Sequence, residues 1–227
     1  VAGVDQQSHA DRLERLGLSV EIYPNERLDE VLENIDRLGR LLAREEQAEA
    51  RIAAILAMQQ AVRQVTQGRP RPATLAIVDR SPLYLVGAET FLDEMLEAVG
   101  ADNLGRQVSK GYPRASIEWL LSSGPELLLD MTPGQGEALG FWQRWGSLPA
   151  VASGRVVRVE ASRVSLPGPD LDAALRELAK VVHGDEIGPE IDRALARAAA
   201  TDEGTQAASS RKPMAAEESP LADGAAR

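Results

Sequence analysis

From Arg44 to Gln67 the chain runs without a glycine or a proline. Most of the residues that fill it are good helix formers, and Gly68-Arg69-Pro70 then stops it. A helix of this length reaches about 35 Å at 1.5 Å per residue, enough to cross from one lobe of a protein to another. Ala48, Ile52, Ile55, Leu56, Gln59, Val62 and Val65 are predicted to line one side, with Glu45, Glu49, Arg51 and Arg63 facing solvent. Any fold must therefore be built around a rigid rod with a short piece before it and a long piece after it.

The long piece alternates strand and helix signals. Thr74-Leu-Ala-Ile-Val78 reads as a buried strand, Phe91–Val99 as a helix capped by Thr90 and stopped by Gly100, and Ser116–Leu121 as a short helix. Glu126–Asp130 is the next strand, Phe141–Trp145 an aromatic helical turn, Arg155–Val159 a third strand, and Asp170–His183 an amphipathic helix. Short connections between alternating strands and helices imply an α/β layer with a mostly parallel sheet. The short piece follows the same pattern. Val1–Val4 reads as a strand end, Asp5–Ser8 as a polar loop, His9–Leu16 as a helix, Leu18–Tyr23 as a strand of period two, and Leu28–Leu38 as a helix. That is too little to close a sheet alone. Beyond Gly184, residues 185–200 read as a marginal helix and 201–227 as disordered.

Charge and chemistry narrow the function. The net charge of −10 comes without a basic cluster, which argues against nucleic acid as a partner. There is no cysteine, so disulfides and thiolate chemistry are excluded. The two histidines, His9 and His183, stand in no catalytic arrangement and read as surface or helix-end residues. Gly134-Gln-Gly136 lacks the rest of a phosphate loop. Neither catalysis, a metal site nor a cofactor is expected. No run is long enough to span a bilayer. The chain opens on Val1 rather than methionine, so a targeting segment is expected upstream.

In open α/β sheets ligands bind at the carboxyl ends of the strands. The loops there are Asp79–Gly87, Met131–Gly136 and Ala161–Pro169. Tyr84 in the first, and Tyr112 in a neighbouring Gly-Tyr-Pro segment, each offer a flat apolar face with a polar tip. Each also fits a ring packed on its loop base. Arg163 offers a cation to a phosphate, carboxylate or propionate, or is simply exposed.

Several segments together resemble the periplasmic binding proteins for cobalamin, haem and iron–siderophores. They are Leu28–Gly39 with Arg44–Glu49, Gly87–Leu104, Tyr112–Leu121, Gly154–Val159, and Ser165-Leu-Pro-Gly-Pro169 followed by a helix. The order and spacing carry the likeness, which covers residues 1 to about 185.

The resemblance implies two α/β lobes joined by a single long helix, the helical-backbone metal-receptor type, here with an incomplete N-lobe. Residues 1–43 would be the remnant of that lobe, 44–68 the linker helix, 69–184 the complete C-terminal lobe, and 185–227 the marginal helix and tail. It implies a monomeric, non-enzymatic substrate-binding component of an ABC importer. That component would be periplasmic or membrane-anchored outside the cytoplasm, and would hand cobalamin, haem or a ferric siderophore to a permease in the inner membrane. On this resemblance Tyr84 and Tyr112 fall at aromatic ligand contacts, Asp5 in a surviving ligand-side loop, and Glu118 at the carboxylate that docks on permease arginines. Leu166 stands where relatives often carry an arginine, so Arg163 would have to compensate. Two other readings stay open: a small α/β enzyme or regulatory domain for a nucleotide or sugar, and a non-functional remnant.

Overall fold

The computed structural model describes residues 2–134, 138–160, 164 and 167–209. Three helices come first: α1 (Ala2–Glu14), α2 (Leu28–Leu41) and α3 (Glu45–Thr66). The last is the run that dominates the sequence. Its buried stripe is Ala48, Ile55, Met58, Ala61, Val62 and Thr66, while Leu56 is 45% exposed. The stripe is rotated from the predicted one. Residues 55, 58 and 62 follow the i, i+3, i+7 spacing of a helix packed along its length, and Leu56 points off that stripe.

After α3 the chain alternates as expected: β1 (Ala73–Arg80), β2 (Leu83–Leu85), α4 (Phe91–Ala98), β3 (Asp102–Asn103), α5 (Ile117–Ser123), β4 (Leu127–Asp130), α6 (Ala138–Trp142), α7 (Pro149–Ala152), β5 (Val156–Arg158), α8 (Leu171–His183) and α9 (Ile187–Ser209). The capping residues do what their chemistry dictates. The Thr90 side chain accepts from Asp93 N at 3.1 Å, and Ser116 accepts from Trp119 N at 3.2 Å. The sheet runs β2-β1-β4-β5, with β3 also on β1. β1, β4 and β5 are parallel, with Ile77 beside Asp130 and Asp130 beside Arg158. Strand alternation splits the core in two. Ala76, Leu127 and Leu129 face a layer that includes residues of α3, α4, α8 and α9. Leu75, Ile77 and Leu128 face the other, which includes Leu120, Trp142 and Leu148.

Four sequence expectations are revised. Residues 2–14 form one helix, so Asp5 lies inside α1 rather than in a loop. Leu18–Tyr23 is not a strand, because among the described residues it has no neighbour to complete a ladder. The loop after β1 contains an antiparallel strand, β2, that the Ser81-Pro82 turn hid. The segment from Ile187 to Ser209 is helical, and Ile187 and Ile191 are fully buried in the core. Two isoleucines four residues apart, seated on a finished layer, outweigh the weak local pattern that read as marginal. Residues 210–227 lie outside the described residues.

Besides the packing of Leu28 and Val31 into the core, one carboxylate ties the N-terminal piece to the sheet layer. Glu94 on α4 accepts the Leu28 amide at 2.7 Å and pairs with Arg27 at 3.3 Å. It thereby caps a free N–H of α2 from 66 residues away. Glu94→Ala is expected to speed amide exchange in the first turn of α2 about fivefold, the effect of losing a cap worth about 1 kcal/mol. The β1 amides should not change. Unaltered α2 rates measured by hydrogen exchange would show that apolar packing alone holds the helix.

Candidate functional site

The carboxyl ends of β1, β4 and β5 form the edge on which the candidate residues collect. β2 folds back on β1 with Tyr84 opposite Asp79. The segment from Ser109 to Ala115 then lies along β2 as a further extended strip. Leu85 N donates to Pro113 O at 3.0 Å, Ala115 N to Leu83 O at 3.0 Å, and Gly87 N to Gly111 O at 2.8 Å. Tyr84 therefore stands opposite Arg114, and Tyr112 follows two residues along. Two loops that the sequence places 28 residues apart are neighbours in one ladder.

Tyr84 is 38% exposed and Tyr112 is 53% exposed, so both rings present surface rather than filling the core. Partial desolvation pushes the Tyr112 phenol above its ordinary value, and the Glu26 carboxylate adds to the shift. Tyr112 thus stays a protonated hydrogen-bond donor at neutral pH. Asp79 spends one carboxylate oxygen on Ser81 N at 3.1 Å.

Under this edge lies a buried polar cluster that sequence reasoning missed. Arg80 Nε donates to Asp130 Oδ2 at 2.7 Å, and Trp142 Nε1 donates to the same oxygen at 2.6 Å. Thr132 N donates to the other oxygen at 3.1 Å. Burial alone would push the Asp130 carboxyl up, but the hydrogen bonds from Arg80, Trp142 and Thr132 outweigh it and hold it below its ordinary value. The Arg80 guanidinium also stacks over Phe141 at 4.7 Å. The cluster bolts α6 to the ends of β1 and β4 and so fixes the floor of the edge. The available signal was a lone charge closing the apolar run Leu127-Leu-Leu-Asp130.

The other predicted residues fall apart from this row. Glu118 is exposed in the first turn of α5, where its own backbone N–H and the Ser116 hydroxyl hold its carboxyl below the usual value. Asp5 lies in α1, and Arg163 lies outside the described residues. His183 ends α8 with Nε2 2.6 Å from Val99 O, and desolvation lowers its pKa. It lines a groove of about 780 Å³ at the opposite, amino-terminal end of the sheet, together with Arg69, Pro72, Glu126 and Arg155. The cations of that groove are already engaged. Arg69 pairs with Glu190 at 2.6 Å, and Arg155 donates to Val182 O at 2.7 Å. We read it as a packing seam, far from the strand ends where ligands bind in such sheets.

The fold and this edge can be set beside known proteins. A profile described as periplasmic binding protein matches residues 2–162. The chain belongs to the periplasmic binding protein family. A cobalamin-binding protein of Halobacterium salinarum is 27% identical over 191 residues, 78% of this chain and 50% of its own length. A vitamin B12-binding protein of Vibrio campbellii is 20% identical over 69% of this chain and 57% of its own length. The chain spans about half the length of the curated relatives it matches.

Among solved structures, a possible iron-binding periplasmic solute-binding protein of Staphylococcus epidermidis superposes with a TM-score of 0.68 at 23% identity. The match covers 76% of this chain and 69% of that one. A periplasmic haem-binding protein of Roseiflexus gives 0.68 at 19% identity, covering 80% and 71%. These likenesses establish the α/β fold of the metal-receptor type.

Proposed function

We propose that this chain is the solute-binding part of an ABC importer acting outside the cytoplasm, without chemistry on its ligand. The ligand is of the cobalamin, haem or ferric-siderophore class. The observation that carries the reading is the Tyr84–Arg114–Tyr112 row on the carboxyl edge of a periplasmic-binding-protein sheet. Two part-exposed phenol rings on a rigid ladder suit a large ligand with a flat or apolar body. The relatives named for vitamin B12, cobalamin and haem support that class. The Glu118 carboxylate, exposed and ionised on α5, serves as a docking point for a basic permease surface, and the chain acts as a monomer.

Absorbance titration with haem, cyanocobalamin and a ferric hydroxamate tests the reading. At least one is expected to saturate in the micromolar range, and Glu118→Arg is expected to leave that titration unchanged while reducing stimulation of the permease's ATPase. Failure of all three ligands to saturate would remove the importer reading.

A further inference from the structure

The cation in the row bears on which ligand is chosen. Opposed residues of an antiparallel pair share a face, with Cβ atoms about 4.5–5.5 Å apart. Tyr84 and Arg114 are such a pair. Tyr112 lies two residues along the strip and shares that face, and Asp79 flanks Tyr84 on the other side. Arg114 is exposed. Among the described residues it has neither a carboxylate partner nor a hydrogen bond.

The other described cations near this edge are occupied, Arg158 at the end of β5 among them. Arg80 is bonded to Asp130, and Lys110 pairs with Glu89 at 2.6 Å. Arg144 lies over the Phe141 and Trp145 rings. Asp79 is turned to its own turn through Ser81 N. Glu26 acts on Tyr112 and disfavours an anion at that ring, which leaves the Arg114 position for one.

We propose that Arg114 takes a peripheral carboxylate of the ligand, so that this chain selects flat ligands edged with carboxylates over those edged with neutral amides or esters. The inference rests on the importer reading. A guanidinium presents two parallel N–H donors that match a carboxylate's two oxygens. The phenol rings on the same face take the body of the ligand while the fork fixes its edge. In a chain of net charge −10, the overall field opposes an anionic ligand, and a local cation offsets it where the ligand sits.

The test is equilibrium titration of the unmodified chain and of Arg114→Gln and Arg114→Lys with haem, haem dimethyl ester and cyanocobalamin. The unmodified chain is expected to bind haem about tenfold more tightly than its ester, the effect of one charge-assisted hydrogen bond. Arg114→Gln should abolish that difference by weakening haem alone, and Arg114→Lys should keep part of it. Because the side chain is exposed and has no hydrogen bond or ion pair among the described residues, folding should be unaffected, which far-UV circular dichroism checks. Equal affinity of the unmodified chain for haem and its ester, or an equal loss for both in Arg114→Gln, would overturn the proposal and leave the importer reading standing. Binding of none of the three would overturn both.

Discussion

Asp130→Ala is expected to destabilise the chain by about 3–5 kcal/mol, the effect of leaving one member of a buried ion pair alone. Asp130 is fully buried, and the Arg80 side chain is 4% exposed. Removing the carboxylate strips an acceptor from Arg80, from the Trp142 indole and from the Thr132 amide together. No relief lies nearby, since Arg80 Nη2 and Thr132 Oγ1 are already buried without a hydrogen-bond partner among the described residues. Urea unfolding measures the loss. A midpoint close to that of the unmodified chain would mean that water reaches the cluster and the pair is not buried in solution. Arg80→Met combined with Asp130→Leu is expected to lose much less than either single change, because the charge and its counter-charge leave together.

The same cluster sets an acid dependence whose sign follows from the lowered folded-state pKa of Asp130. A carboxyl depressed by folding contributes its full stabilisation above its unfolded value, about 3.9. That contribution fades as pH falls through the lower folded value. The Arg80–Asp130 bond is therefore intact at neutral and mildly acid pH. Below about pH 4 the unmodified chain should lose stability faster than Asp130→Ala, which has no such proton to take up.

Much of the architecture could be read from local signals, for identifiable reasons. The Arg44–Gln67 helix, the strands at 74–78 and 126–130 and the caps at Thr90 and Ser116 depend on neighbours in sequence, and local chemistry decides them. Where a distant partner decides, the same reasoning fails. Leu18–Tyr23 has strand periodicity but, among the described residues, no ladder to join. The Ile187–Ser209 helix has a poor pattern of its own, yet Ile187 and Ile191 find a core prepared by α3 and α8. Asp5–Ser8 has the polar composition of a loop, yet it lies within α1.

The candidate site divides along the same line. Tyr84 and Tyr112 stand out as aromatic residues in Pro-framed loops. Their adjacency does not, since it depends on a ladder between residues 83–88 and 109–115 that no local pattern encodes. Arg114 and Arg80 read alike in sequence. Arg114 is exposed and has no ion-pair partner among the described residues, while Arg80 is held under the site by Asp130 and the Phe141 ring.

That ladder gives the second large expectation. Gly87→Ala is expected to destabilise the chain by about 3 kcal/mol, the upper part of the usual range for overpacking, and to misplace Tyr112. A Cβ at Gly87 would lie 2.2 Å from Ser109 O, 2.8 Å from Pro113 Cδ and 2.9 Å from Gly111 O. Two of these three neighbours are backbone atoms and the third belongs to a proline ring, so no flexible side chain can yield. The Ser109–Pro113 strip must move, and it carries Tyr112 and leads into Arg114.

Gly111→Ala is the control. Gly111 has φ +71 but nothing within 4 Å of a built Cβ, so only the left-handed backbone penalty of about 1 kcal/mol applies. The two substitutions should separate in hydrogen exchange. Gly87→Ala should expose the Leu85, Gly111 and Ala115 amides, which bond across the strip, and Gly111→Ala should leave Leu85 and Ala115 protected. Gly87→Ala should also weaken binding of any ligand held by the row, because Tyr84 stays on β2 while Tyr112 and Arg114 shift away from it. Equal urea midpoints and equal exchange for the two variants would mean that the strip yields freely, and a row set on so soft a strip would not hold its rings in fixed register.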